Sequence, residues 1–95
     1  MSNYIQQVKD ELANQLAEFD SSVEDELLDL YALLVLVRGE KCTLEDVHDA
    51  WSVWKNQTHA THRSLIPFGE LSRQVQAMDN EYAVAIRKTA KELQL

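Results

Sequence analysis

The sequence predicts a small all-α domain, a bundle of four helices with one long loop before the last. Three observations carry this expectation. Two glycines and one proline in 95 residues are too few for a meander of short strands, which needs turn residues about every 8–12 positions. Apolar residues recur at steps of three and four along most of the chain, the period of a helix. One polar stretch, residues 56–67, interrupts that pattern and contains His59 and His62. The length suits a single domain, with an acidic helical hairpin over 1–38 and a second half over 43–95. Apolar residues at 45% and charged residues at 26% exclude a largely disordered chain. There is little room for a nucleotide-binding α/β fold, whose βαβ units take roughly 30 residues each.

The first helix places Ile5, Val8, Leu12, Leu16 and Phe19 on one face, with Lys9, Asp10, Glu11, Gln15 and Glu18 elsewhere. Asp20-Ser21-Ser22 breaks it, and Ser21 with Glu24 fits a capping box. Glu24, Asp25 and Glu26 then occupy a first turn, where the helix dipole favours negative charge. The second helix, 23–38, becomes apolar on all sides after Asp29. A helix of that kind is expected to be buried all round, either at the centre of the domain or with 33–37 covered by a second copy in a homodimer. A buried strand over 33–37 is the competing reading. Gly39 suits the left-handed position that ends a helix. Thr43 starts the third helix, whose face is Leu44, Val47, Trp51 and Trp54. Ser72 caps the last, with Val75, Met78, Tyr82, Ile86, Thr89 and Leu93 in one helical series.

Charge is unevenly distributed. The net charge is −7, and residues 1–37 hold eight acidic side chains against Lys9 alone, while the remainder balances. A surface of this sign repels phosphate backbones, which argues against direct nucleic-acid binding. It suits a basic surface on a host protein, with Asp10, Glu11, Glu18, Glu24, Asp25 and Asp29 as the contacts. Helix-start capping explains part of the same acidity without a partner. Cys42 is the one cysteine, so no internal disulfide forms. No basic region followed by an apolar stretch opens the chain. The longest apolar run, eight residues from Leu30, falls short of the 18 or so needed to cross a bilayer. A cytoplasmic protein without membrane contact is the expectation.

The motifs of common chemistry are missing from the sequence. Cys42, His48, His59 and His62 match no zinc spacing. There is no serine on a glycine-flanked turn, no glycine-rich phosphate loop and no HExxH, so neither a metal, a cofactor nor an enzyme is expected. The aromatic residues of the second half are more informative. Trp51 and Trp54 lie on adjacent turns, and with Lys55, His62, Arg63 and Phe68 they suit a groove for a planar, anionic, nucleotide-like small molecule. The same tryptophans equally suit packing of the third helix on the fourth.

Val47-His48-Asp49-Ala50-Trp51, a polar loop, and then His62-Arg63-Ser64-Leu65-Ile66-Pro67-Phe68-Gly69-Glu70-Leu71-Ser72 together resemble the RyR domain. That repeat is named from ryanodine receptors and also occurs in bacterial and phage proteins. The resemblance covers about half the chain, 44–93, and Asp79 matches an aspartate often found in the family's following helix. Arg63 stands where the family usually has proline, and the family's longer loop is missing between Trp54 and His62. The resemblance implies a helical, non-catalytic module that binds nucleotide-like ligands. Two functions follow as expectations. The first is an inhibitor or adaptor, of phage or bacterial type, that docks its acidic half on a host protein. The second is a binder or sponge for a nucleotide signal, using the Trp/His/Arg groove.

Overall fold

A computed structural model describes residues 3–95. It is all-helical, as the periodicity predicts. Four helices of 13 or 14 residues, α1 (Tyr4–Ala17), α2 (Asp25–Val37), α3 (Leu44–Asn56) and α5 (Asn80–Glu92), are joined by a one-turn helix α4 (Arg73–Ala77). Short 3₁₀ turns at Gly39–Lys41 and Phe68–Glu70 complete the chain. The expected loop lies at residues 57–67, before α4. Among the described residues no helix is long and apolar enough to cross a membrane.

α2 and α5 form the centre, each touching both α1 and α3. Tyr31 meets Tyr82, ring centroids 5.6 Å apart, and Gly39 lies against Ala90. Both numbers advance by eight, so α2 and α5 run in the same direction. Leu12, Leu16, Val35, Val47 and Ile86 are buried between the four helices. α5 contributes Ala83, Ala85 and Ala90 to this core, small side chains that let neighbouring backbones come close. Gly39 takes φ +57, a left-handed conformation that only glycine adopts readily.

The capping of each helix follows local chemistry. Asn3 caps α1 by accepting the Gln6 N–H at 2.9 Å. Thr43 and Asp46 form a complete capping box on α3. Asp46 also takes an ion pair from Arg38 at 2.8 Å. Burial works to raise the Asp46 pKa, but the Thr43 and Arg38 hydrogen bonds outweigh it and hold the carboxyl below its ordinary range.

Several local expectations are corrected. Ser21 does not cap α2, which begins at Asp25 behind Glu24 without a side-chain cap bond. α1 ends with Asp20 in the left-handed region (φ 55) and the Ser21 N–H donating to the Leu16 carbonyl at 3.0 Å, the closing bond of a Schellman-type end. That turn carries the Ser21 hydroxyl to Glu81 of α5, 2.7 Å away. α2 is central but not buried all round, since Leu33 is 52% and Val37 63% exposed. A chain of this length has too little material to surround one helix. Ile5 and Phe19, at the ends of the α1 face, are partly exposed as well. The last helical series is split between α4 and α5 at Met78 and Asp79. The Gln76 amide donates to the carbonyls of Phe68 and Leu71, which ties α4 to the 3₁₀ turn. α5 packs instead on α1 and α2.

Candidate functional site

α3 carries His48 and Trp51 three residues apart, so both face the same side. The 57–67 loop returns across them. His48 is buried, and its Nε2–H donates to the Ile66 carbonyl at 2.7 Å. Its ring stacks on Trp51 (centroids 5.8 Å, 23°) and meets Phe68 at 6.1 Å. His62 meets Trp51 edge to face at 5.3 Å and 80°. The Ser64 N–H donates to His62 Nδ1 at 3.0 Å, which leaves the proton of a neutral ring on Nε2. The loop is therefore held onto α3 by two imidazoles.

Beside this aromatic wall lies a cleft of about 890 Å³. Trp51, His48, His62 and Arg63 bound one side, and Asp79, Glu81 and Tyr82 at the start of α5 bound another. Phe19, Leu27 and Tyr31 enter from α1 and α2. The helix break at Met78 and Asp79 matters here. It makes Asp79 the first residue before α5, yet its side chain makes no cap bond. Burial pushes the Asp79 carboxyl above its ordinary range, with His48 opposing. Tyr31 is 2% exposed, and burial, assisted by Asp79, pushes its phenol well above the usual value. Burial raises the Tyr82 phenol too, with Glu81 next to it adding to the effect. Arg63 is exposed and has no carboxylate within 4.0 Å among the described residues.

Three of the six residues expected at a ligand groove, Trp51, His62 and Arg63, come together on this cleft. The other three stand apart from it. Lys55 lies over the Trp54 ring at 5.4 Å from the centroid, and Phe68 packs on His48. Tyr82, which shares the aromatic half of the chain, and Asp79, marked by the family resemblance, also line the cleft, and Tyr31 joins them with no sequence signal. No spacing rule connects residue 31 to residue 79, and only the folded chain brings them together. Among the described residues no group of three or more His, Cys, Asp or Glu side chains is arranged to hold a metal ion.

The acidic residues do not converge in the same way. Asp25 and Asp29 both pair with Lys9, at 3.0 and 2.8 Å, and the hydrogen bonds that Lys9 donates to Asp29 and then to Asp25 raise its pKa. Glu18 instead approaches Lys88 of α5 at 4.0 Å. Asp10 accepts from the Gln6 amide and Glu11 from that of Gln15. Glu24 precedes α2 and is exposed.

No curated protein and no solved structure matches the chain. One family profile does, described as a domain of unknown function, DUF7701, over residues 3–91. That span takes in every helix described above except the last residue of α5, and the chain belongs to the DUF7701 family.

Proposed function

We propose that this protein is a non-enzymatic binding module that holds a small planar ligand in the cleft between α3 and the start of α5. The observation that carries the reading is the convergence of Trp51, His62 and Arg63 on one cleft with Tyr31 and Tyr82. Aromatic faces supply stacking area, and a few polar groups fix orientation. Arg63, exposed and unpaired, suits an anionic tail at the rim. The resemblance to RyR domains points the same way. A binding role rather than catalysis is supported by the state of the obvious nucleophile. Cys42 is buried away from the cleft, and burial pushes its thiol up to about 11.

The test is a native mass spectrum of the protein purified gently from its own source, together with two variants. Retention of a small molecule, lost on denaturation, weakened by Arg63→Ala and unaffected by Lys55→Ala, is the expected result. A bare protein that shows no tryptophan fluorescence response to nucleotides or other planar anions would sink the reading.

Docking of the acidic half on a basic host protein is the second reading. Five of its six residues, Asp10, Glu18, Glu24, Asp25 and Asp29, are exposed, and the net charge of −7 favours a basic partner. It ranks second because Lys9 already neutralises part of the patch. Capture of a partner with an affinity that falls steeply with salt is its signature.

A further inference from the structure

The Tyr31 hydroxyl and the Asp79 carboxylate line the cleft, and neither has a hydrogen-bond partner among the described residues. The Tyr31 side chain is almost wholly buried, yet its hydroxyl makes no hydrogen bond with any described residue. No fully enclosed side-chain oxygen or nitrogen lacks a partner among the described residues, so this hydroxyl keeps an opening, and the cleft that Tyr31 lines provides it. Asp79 lines the same cleft, caps nothing and has no cation within 4.0 Å among the described residues. A half-buried carboxylate is an acceptor of two hydrogen bonds, and an unpaired one is costly to keep. The carboxylate therefore presents a demand for N–H donors, with the Tyr31 hydroxyl and the rings of Trp51 and Tyr82 lining the same cleft.

Resting on the ligand-binding reading above, we propose that Asp79 and Tyr31 recognise the paired N–H donors of a guanine-type base stacked in this cleft. The N1–H and the exocyclic amino group of guanine point the same way and match the two carboxylate oxygens, in the manner of base-edge readout by a pocket with aromatic walls. The Tyr31 hydroxyl reaches a further edge atom of the base. Adenine offers a lone pair at N1, which the carboxylate repels. A free guanidinium has the same donors but carries no anionic group for Arg63 at the rim. A neutral base with an anionic phosphate at Arg63 satisfies both ends.

The experiment is calorimetric titration of the full chain with GMP, IMP, AMP and methylguanidinium, for the wild type, Asp79→Asn, Tyr31→Phe and Arg63→Ala. GMP is expected to bind at least about tenfold more tightly than AMP, the scale of hydrogen bonds to a charged group, with IMP, which has one of the two donors, between them. Asp79→Asn should abolish that preference at a melting temperature no lower than that of the wild type, and Tyr31→Phe should weaken GMP. Arg63→Ala should weaken GMP and IMP alike. Equal binding of GMP and AMP, or a preference that survives Asp79→Asn, overturns the base assignment while leaving the cleft a binding site. Binding of methylguanidinium without GMP overturns it in favour of a cation. A wild-type protein that retains some other small molecule, and ignores all four probes, overturns the guanine assignment alone. One that neither retains nor binds any small molecule overturns both proposals.

Discussion

Replacing Tyr31 with phenylalanine separates packing from polarity at the floor of the cleft. The ring would stay where it is, against Tyr82 at 5.6 Å and 2% exposed, so the apolar contribution is retained. What disappears is a hydroxyl that leaves water on folding and finds no partner among the described residues. Burying such a group without a hydrogen bond costs about 1–3 kcal/mol by mutational data. The Tyr31 hydroxyl keeps some contact with the cleft, so the lower end applies, about 1 kcal/mol. Tyr31→Phe should therefore stabilise the protein by about 1 kcal/mol, which in a domain of this size raises the melting temperature by about 4–8 °C. Thermal and urea unfolding followed by circular dichroism measure it, with the urea m-value unchanged because the buried surface is unchanged. A loss of about 1 kcal/mol or more would falsify the reasoning, because it would mean that the hydroxyl is hydrogen-bonded in the folded chain.

Two further outcomes test the frame around the site. Thr43→Ala removes one half of the α3 capping box and should cost about 1 kcal/mol, read as a shift in urea midpoint. The second concerns pH. The Cys42 thiol is raised from 9.0 to about 11 in the folded protein, so above pH 9 the unfolded chain loses this proton while the folded chain keeps it. Its contribution to stability is complete below about pH 9 and is lost progressively toward pH 11. Denaturant midpoints measured across that window should fall with pH, less steeply in Cys42→Ala.

Much of the fold was legible because it is local. Val8, Leu12 and Leu16 repeat every four residues, and that spacing alone identifies the buried face of α1. Thr43 marks the start of α3, and the structure gives the reason, a capping contact with Asp46 three residues on. The errors arose where a local signal met a tertiary competitor. Ser21 has the right spacing to Glu24 for a capping box, but the left-handed turn at Asp20 and the carboxylate of Glu81 claim it. Met78 continues the apolar series of the last helix without a flaw, so nothing in the period marks the break behind it. That break is set by Gln76 reaching back to Phe68 and Leu71. The cleft was half legible for the same reason. Trp51, His62 and Arg63 share one stretch of chain and drew attention as a cluster. Tyr31 reads as one more apolar position in a run, and Asp79 stands out only through the family resemblance; the folded chain places both on the same cleft.

The walls of the cleft come from Phe19, Tyr31, Trp51, His62 and Tyr82, which lie on α1 or its exit, α2, α3, the loop and α5. No fragment of the chain holds enough of them to form half a site. Any ligand taken there binds the folded state alone, and its binding energy is added to the unfolding of the whole domain rather than to one segment. At a free concentration a hundred times its dissociation constant that addition is about 2.7 kcal/mol. A single thermal-shift screen therefore reports on occupancy of this cleft as directly as a measurement made at the cleft itself. Conversely, a mutation in the distant core that loosens the bundle lowers apparent affinity once the unfolded population becomes appreciable, without touching a contact residue.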